Sequence, residues 1–268
     1  MATGIPLETP AAVRQQLRRE VNFGCPSPGC GSPYLTYHHF DPPRRVRLHH
    51  EPAGMIALCW THHQSAEAGA ITVAQLREMK ARPHLAGPPV EGRFEGWNRR
   101  RLVVRIGSDW FFNPAYVLQV GGRVLVGVSE LADRGGLDLD VRGADGQPLL
   151  QMVANDWQLQ TLPSNLIVGN RYNHLVVELA REQIQFEIRF RSFTQDEFPV
   201  FLEETELLAN KRDVLASVEG WPVALCTVVG TFVWPSRVIV SEHQVIGAKH
   251  RWLFQGNVSA TGGGIVIP

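Results

Sequence analysis

The sequence predicts an α+β protein in which a small domain rich in cysteine and histidine is followed by a mainly β, sandwich-like domain. Three of the four cysteines and six of the ten histidines lie between residues 25 and 63. From about residue 90 the chain changes to short alternating apolar runs separated by Gly, Asp and Asn. The stretch 80–92, with three prolines and two glycines, predicts a linker, so we divide the chain into domains 1–85 and 86–268.

Two helices are predicted in the first domain. Residues 11–21 (AAVRQQLRREV) form the core of the first helix, and residues 71–81 (ITVAQLREMKA) form the second. Thr72 is expected to be the N-cap of the second helix, and Gln75, three residues later, completes a capping box. This helix is expected to support the cysteine-rich segment by packing against it.

The second domain is predicted to consist mainly of strands joined by hairpins. Gly121-Gly122 is a hairpin turn signal within the apolar run 116–128. The other expected elements are a strand at 101–106, a hairpin at 137–153 around Asp145-Gly146, a hairpin at 174–193, a helix within 198–218 and further strands over 221–240. This succession of short strands predicts a sandwich or a related β fold.

Composition narrows the class of protein. The net charge is zero, so the chain lacks the overall basic character of many nucleic-acid-binding proteins. Two local basic runs, RRVR at 44–47 and RFEGWNRRR at 93–101, are expected either to be solvated or to face phosphates. No apolar run approaches the ~18–20 residues that a membrane helix needs, and the N-terminus lacks the pattern of a signal peptide. We therefore expect a cytoplasmic protein without a membrane partner.

The spacing of the cysteines predicts a structural zinc site. Cys25 and Cys30 are separated by four residues within CPSPGC, and Cys59 and His62 are separated by two within CWTH. A Cys-x4-Cys pair with a distant Cys-x2-His pair is a sound tetrahedral zinc pattern. Such a closed site would supply a large share of a small domain's stability. The fourth cysteine, Cys226, lies in an apolar stretch and is expected to be buried and structural.

Three histidines inside the same loop are not needed for that zinc: His38, His39 and His63. Residues 35–40 are expected to form a strand, on which His38 and His39 point to opposite faces unless the strand ends there. His63 is expected on the first turn of a helix. The zinc would then hold the end of a strand beside the start of a helix, with imidazoles at the centre.

The combination CPSPGC, YLTYHHFDPP and GMIALCWTHHQSAEAG resembles the HNH family of ββα-metal nucleases, in a zinc-containing version. The resemblance covers about residues 25–80 and implies that this region is a small zinc-stabilised ββα-metal domain. It also implies that His38 and His63 bind a catalytic divalent metal and that His39 is the general base that activates water. The implied activity is hydrolysis of DNA to 5′-phosphate and 3′-hydroxyl ends.

The chemistry of these residue types agrees with the implied activity. A neutral imidazole has an unperturbed pKa of ~6.5 and can accept a proton from water at cellular pH. Mg²⁺, Mn²⁺ or another divalent metal held by His38 and His63 would stabilise charge on the phosphate, and nitrogen ligands favour Mn²⁺, Co²⁺, Ni²⁺ or Zn²⁺ over Mg²⁺. HNH nucleases often act as effectors in bacterial anti-phage or restriction systems. We therefore expect DNA as the substrate, with the β domain serving recognition, homo-oligomerisation or docking of a partner such as a prokaryotic Argonaute-type sensor.

One position departs from the family pattern. The family places an asparagine that orients the base histidine where this chain has Gly54. Glu51 or His50 is expected to take its place by binding the other nitrogen of His39. The alternative is a catalytically degenerate, zinc-stabilised protein that binds DNA or a partner. His49 is left open as a loop ligand, a phosphate contact or a surface residue.

Overall fold

The computed structural model describes residues 6–83, 89–94, 101–112, 114, 116–131, 134–169, 173–180, 183–204, 215–216, 218–247 and 264–267. It confirms an α+β class in which strands predominate. The chain divides into two compact units, Met1–Gly92 and Arg93–Pro268. The centre of the predicted linker (84–88), most of the second basic run (95–100) and much of the predicted helix at 198–218 (205–214 and 217) lie outside the described residues.

The first unit contains helices and one small sheet. Its elements, in chain order, are α1 (Ala11–Glu20), β1 (Leu35–His39), a 3-10 turn (Pro52–Gly54), β2 (Met55–Cys59), α2 (Trp60–Glu67) and α3 (Val73–Ala81). β1 and β2 form a two-stranded antiparallel sheet. The predicted helices at 11–21 and 71–81 are both present, and the predicted strand at 35–40 is β1.

The core of the first unit is built around β2. All five residues of this strand, MIALC, are buried, which explains its continuous apolar run. Leu17 of α1 and Leu76 of α3 are buried in the same cluster. Burial of each large side chain contributes about 1.5–3 kcal/mol, so this cluster fixes the strand from which α2 begins.

The capping box predicted for α3 is confirmed. The Thr72 hydroxyl accepts from the Gln75 backbone N–H at 3.3 Å, and the Gln75 side chain accepts from the Thr72 N–H at 2.9 Å. At the other end of the helix, the Lys80 ammonium donates to the Met55 carbonyl at 2.8 Å and pairs with Glu20 of α1. Lys80 therefore connects α3 to both β2 and α1.

The remaining strands form two larger sheets. They are β3 (Val90–Arg93), β4 (Arg101–Ile106), β5 (Asp109–Phe112), β6 (Tyr116–Val120), β7 (Arg123–Leu131), β8 (Arg134–Arg142), β9 (Pro148–Val153), β10 (Asp156–Leu159), β11 (Asn165–Val168), β12 (His174–Leu179), β13 (Ile184–Phe193), β14 (Val223–Phe232), β15 (Val238–Val240), β16 (Val245–Gly247) and β17 (Ile265–Ile267). A seven-stranded sheet has the order β17-β6-β7-β8-β9-β10-β3. An eight-stranded sheet follows the order β11-β12-β13-β14-β15-β16, with β4 beside β14 and β5 beside β4.

The three predicted hairpins correspond to β6–β7, β8–β9 and β12–β13, and each is antiparallel. Both Gly121 and Gly122 have positive φ, as a two-residue hairpin turn requires. The predicted helix after residue 197 begins as α4 (Glu197–Glu204). No helix among the described ranges is long and apolar enough to cross a membrane. The sandwich-like stacking of the sheets stays a prediction.

Candidate functional site: two Cys/His clusters on a strand pair and a helix

The β1–β2 ladder and α2 bring the predicted histidines together. The ladder is antiparallel, so His39 at the end of β1 lies opposite Met55 at the start of β2. α2 begins directly after Cys59, the last residue of β2, and packs against both strands. His62 and His63 in its first turn therefore lie beside β1 and the cysteine knuckle.

The four predicted zinc ligands form one cluster. One ligand atom each from Cys25, Cys30, Cys59 and His62 lies within 4.8 Å of the others. The Sγ atoms of Cys30 and Cys59 are 3.7 Å apart, and His62 Nδ1 lies 3.1 Å from Cys59 Sγ. It also lies 3.5 Å from Cys25 Sγ. Tetrahedral zinc with Zn–S bonds of ~2.3 Å and Zn–N bonds of ~2.0 Å has edges of roughly 3.6–3.8 Å. The cluster could therefore hold a metal ion such as zinc.

Backbone hydrogen bonds close the loop that carries the first two cysteines. The Cys25 N–H donates to the Ser32 carbonyl at 2.9 Å, and the Gly31 N–H donates to the Cys25 carbonyl at 3.2 Å. Within the loop, the Cys30 N–H donates to the Ser27 carbonyl at 3.0 Å. Gly31 has a positive φ, which a residue with a side chain adopts at a cost. These backbone hydrogen bonds therefore contribute to the shape of the knuckle.

Burial of the cysteines is consistent with a bound cation. Removal from water raises the pKa of the Cys25 thiol to about 12, against weaker lowering by backbone hydrogen bonds. Burial also raises the pKa of Cys30. Thiolates in such a place need a compensating positive charge, and a divalent zinc ion supplies it.

A second cluster contains two of the remaining histidines and a glutamate. One ligand atom each from His38, His63 and Glu67 lies within 4.8 Å of the others. The rings of His38 and His63 are 5.0 Å apart, and His63 Nε2 lies 3.4 Å from a Glu67 carboxylate oxygen. Two imidazoles and one carboxylate are a donor set suited to Mn²⁺, Co²⁺, Ni²⁺, Fe²⁺ or Zn²⁺.

A hydrogen bond to the Thr36 hydroxyl fixes the tautomer of His63. The Thr36 hydroxyl donates its single proton to the Leu58 carbonyl at 3.0 Å. The same oxygen lies 2.7 Å from His63 Nδ1, so it must accept a proton from that nitrogen. Neutral His63 then has a lone pair on Nε2, the atom that faces the Glu67 carboxylate. Two acceptors facing each other repel, and either a proton on Nε2 or a metal ion between the two atoms removes this repulsion.

The side chain of His38 is also suited to bind a metal ion as a neutral ligand. Its ring is buried, and among the described residues its Nδ1 has no hydrogen-bond partner. Burial, with a smaller contribution from the positive form of His63, lowers the pKa of His38 to about 4. The imidazole is therefore uncharged at neutral pH, which is the form that binds metals.

His39 is held by a hydrogen bond to the backbone. Its Nε2 lies 2.8 Å from the carbonyl oxygen of His49, and its ring packs edge-on against the His49 ring at 5.0 Å. A carbonyl only accepts, so Nε2 carries the proton and Nδ1 carries the lone pair. Burial lowers the pKa of His39 below its ordinary value. The ring is therefore a neutral base with one nitrogen fixed.

The two side chains expected to orient His39 do not contact it by hydrogen bonds. The Glu51 carboxylate pairs with Arg47 at 3.0 Å, on the exposed loop. His50 Nε2 lies 2.8 Å from the Pro6 carbonyl. The orienting acceptor is instead the main-chain oxygen of His49. The expected role of Glu51 or His50 is corrected accordingly, because the loop backbone already occupies the position beside Nε2.

The His49 side chain and Gly54 explain how that loop is held. His49 is buried, with Nε2 2.9 Å from the Pro42 carbonyl and Nδ1 accepting from the Glu51 N–H at 3.2 Å. A Cβ at Gly54 would lie 1.9 Å from the Asp41 carbonyl oxygen and 3.0 Å from the His49 ring. No asparagine fits at Gly54 in this packing, and His49 is a structural support of the loop.

A cavity of about 460 Å³ adjoins the second cluster. His38, His39, His63 and Glu67 line one part of it. Arg44 and Arg45, two exposed arginines of the RRVR run, also line it, together with apolar side chains that include Phe40, Val73 and Leu76. The first basic run thus lies beside the histidines, as one of its two expected roles requires.

Sequence reasoning missed three residues of this site: Thr36, His49 as a backbone acceptor, and Glu67. The signal for Glu67 was its position four residues after His63, which places both side chains on one face of α2. Thr36 is two residues before His38 on β1 and therefore shares its face of the strand. The His49 carbonyl carried no signal, since every residue has one.

Comparison of the chain with protein-family models, with curated proteins and with solved structures finds no match. The assignment of the site therefore rests on its own residues and their geometry.

Proposed function

We propose that the first unit is a metal-dependent endonuclease of the HNH type that hydrolyses phosphodiester bonds of DNA. One observation carries the proposal. A neutral histidine held by a carbonyl, His39, follows directly after a histidine of the His38–His63–Glu67 cluster, and all four residues line one cavity. A general base beside a metal-ligand cluster is the arrangement that hydrolysis of a phosphodiester requires.

The residues of this chain have separable roles in the proposed reaction. His39 Nδ1 accepts a proton from a water molecule, whose oxygen forms a bond to phosphorus. The bond from phosphorus to the 3′ oxygen breaks, and the 3′ oxygen takes a proton from solvent to give the 3′-hydroxyl end. The His49 carbonyl keeps His39 in the tautomer that accepts this proton and stabilises the imidazolium that results. Arg44 and Arg45 attract the phosphates at the cavity edge.

His38, His63 and Glu67 would hold the divalent metal ion, Mg²⁺, Mn²⁺ or a related ion. When bound, that ion supplies Lewis-acid stabilisation of charge on the phosphate and the leaving oxygen. The cluster of Cys25, Cys30, Cys59 and His62 would hold zinc, which would help to fix the helix that carries His63, because His62 is the preceding residue. We further propose, on the resemblance alone, an effector in anti-phage defence or restriction. The second unit would then serve recognition, oligomerisation or docking of an Argonaute-type or other sensor.

The test is plasmid cleavage by the purified full-length chain across Mg²⁺, Mn²⁺, Co²⁺, Ni²⁺ and Zn²⁺, with and without the products of neighbouring genes. We expect cleavage with at least one ion, and fragments that a ligase rejoins because they carry 5′-phosphate and 3′-hydroxyl ends. Absence of cleavage under all these conditions, together with salt-dependent DNA binding, would favour the degenerate DNA-binding alternative.

A further inference from the structure

The cavity beside the histidines extends further than phosphate hydrolysis requires. Besides His38, His63 and Glu67, its lining includes the apolar side chains of Phe40, Ile71, Val73 and Leu76, which we call the apolar wall. Phe40 and Leu76 are buried in the core, whereas Val73 is 41% exposed at the start of α3. A phosphate and a water molecule contact the metal ligands and the base. They gain nothing from four apolar side chains.

The edge of the same cavity is cationic. Arg44 and Arg45 are exposed and lie next to the apolar wall and the histidine cluster. A ligand that contacts the arginines, the histidine cluster and the apolar wall needs two groups. An anionic group suits the arginines and a metal, and a flat apolar group suits the wall. A nucleotide has both groups, and the cavity volume of about 460 Å³ lies in the range typical of sites for one small molecule.

We propose that this cavity seats a single unstacked nucleobase of the substrate strand, next to the scissile phosphate, which makes single-stranded or locally unpaired DNA the preferred substrate. The inference rests on the nuclease function proposed above. A base inside a duplex is stacked on both faces and cannot reach the wall unless it leaves the helix, which costs energy that a single strand is spared. Apolar contact with the face of a base is tolerant of sequence, so the subsite selects strand state and not a particular base.

Val73 offers a variant that changes the wall with little risk to the fold. It is the first residue of α3 after the Thr72 N-cap, where a glutamate is favourable to the helix. Val73→Glu places a charge on the apolar wall. Ala74→Glu is the matched control, because it adds the same charge at the next, exposed position, which does not line the cavity.

The experiment compares initial rates on a 15-nucleotide single strand and on its duplex, with the full-length chain. We expect wild type to cleave the single strand at least tenfold faster. Val73→Glu should raise KM for the single strand about tenfold with little change in kcat, a loss typical of one base contact. Ala74→Glu should stay within about twofold of wild type. Equal rates on both substrates, or equal KM for the two variants, would overturn the subsite while the nuclease function stands.

Binding separates failure of the subsite from failure of the function. Fluorescence anisotropy with a labelled single-stranded pentanucleotide, without added divalent metal, reports the cavity independently of cleavage. If no DNA is cleaved with any metal, the nuclease proposal fails. The subsite is then supported by about tenfold weaker pentanucleotide binding in Val73→Glu than in Ala74→Glu, and it is refuted by equal binding.

Discussion

The hydroxyl oxygen of Thr36 lies 2.7 Å from Nδ1 of His63, and its own proton is directed to the Leu58 carbonyl. The hydroxyl therefore accepts from the imidazole and leaves Nε2 as the available ligand atom. This single hydrogen bond connects a strand of the core to the face of α2 that carries His63 and Glu67.

Replacing Thr36 by valine should weaken the divalent-metal site while leaving the zinc cluster intact. Valine keeps the β-branched shape but cannot accept from His63, so the ring loses its fixed tautomer. Loss of such a supporting partner typically costs 10–100-fold in metal affinity. Titration of the zinc-loaded protein with Mn²⁺, followed by electron paramagnetic resonance, measures the effect. Thr61→Val, on the exposed side of α2, is the control, and an equal affinity in both variants would contradict the tautomer assignment.

Glu67 is expected to bind the same ion directly. Glu67→Gln removes the negative charge that faces His63 Nε2 at 3.4 Å but preserves the size of the side chain. Mn²⁺ affinity should fall at least tenfold, because one of three ligands loses its charge. Glu78→Gln on the exposed face of α3 should have no effect on Mn²⁺ binding. Unchanged affinity in Glu67→Gln would leave His38 and His63 as the whole protein ligand set.

The cysteine cluster should hold about one zinc ion per chain and stabilise the first unit. Cys59→Ser removes a thiolate from the end of β2, so zinc measured by elemental analysis should fall well below one per chain. Since zinc binding to such sites contributes about 10–16 kcal/mol, the first unit should lose cooperative unfolding. Cys226→Ala, in the other unit, should retain the zinc. A wild-type protein purified with no tightly bound zinc would refute the four-ligand site.

Placing an asparagine at Gly54, as in the HNH pattern that the chain resembles, should damage the fold instead of improving the site. Gly54→Asn forces a Cβ to within 1.9 Å of the Asp41 carbonyl oxygen, and we expect a loss of about 3 kcal/mol or more in the free energy of unfolding. Gly69→Asn is the matched control. Its φ is positive, which asparagine tolerates, and its Cβ would meet no atom within 4 Å. Chemical denaturation measures both variants, and equal stability would show that Gly54 has room for a side chain.

Local features of the fold were predictable from the sequence, whereas pairings between distant strands were not. The capping box of Thr72 and Gln75 and the Gly121-Gly122 turn were predictable because their determinants are adjacent in sequence. The parallel pairing of β4 with β14, and of β6 with β17, joins segments more than one hundred residues apart. No turn or spacing signals such pairings, since they depend on the packing of the whole sheet.

In the candidate site, too, the features set by local spacing were predictable and those set by distant contacts were not. The grouping of Cys25, Cys30, Cys59 and His62 followed from ligand spacing, which is a local property of the two pairs. The predicted orienting partner of His39 was wrong. The prediction considered the side chains of Glu51 and His50, whereas the hydrogen bond is made by the main-chain oxygen of His49. The requirement for glycine at position 54 also depends on a distant segment, because the Asp41 backbone approaches too closely to leave room for a Cβ.

The most direct measurement is the rate of DNA cleavage by His39→Ala at saturating divalent metal, compared with wild type and with His50→Ala. His50 is a neighbouring histidine whose ring lies against the Pro6 carbonyl outside the catalytic set. If His39 is the general base, its loss lowers the rate by about 10²–10⁴-fold while zinc content and Mn²⁺ affinity stay at wild-type levels. His50→Ala should cleave at close to the wild-type rate. Cleavage by His39→Ala at the wild-type rate would contradict the assignment of the base and, with it, the proposed mechanism.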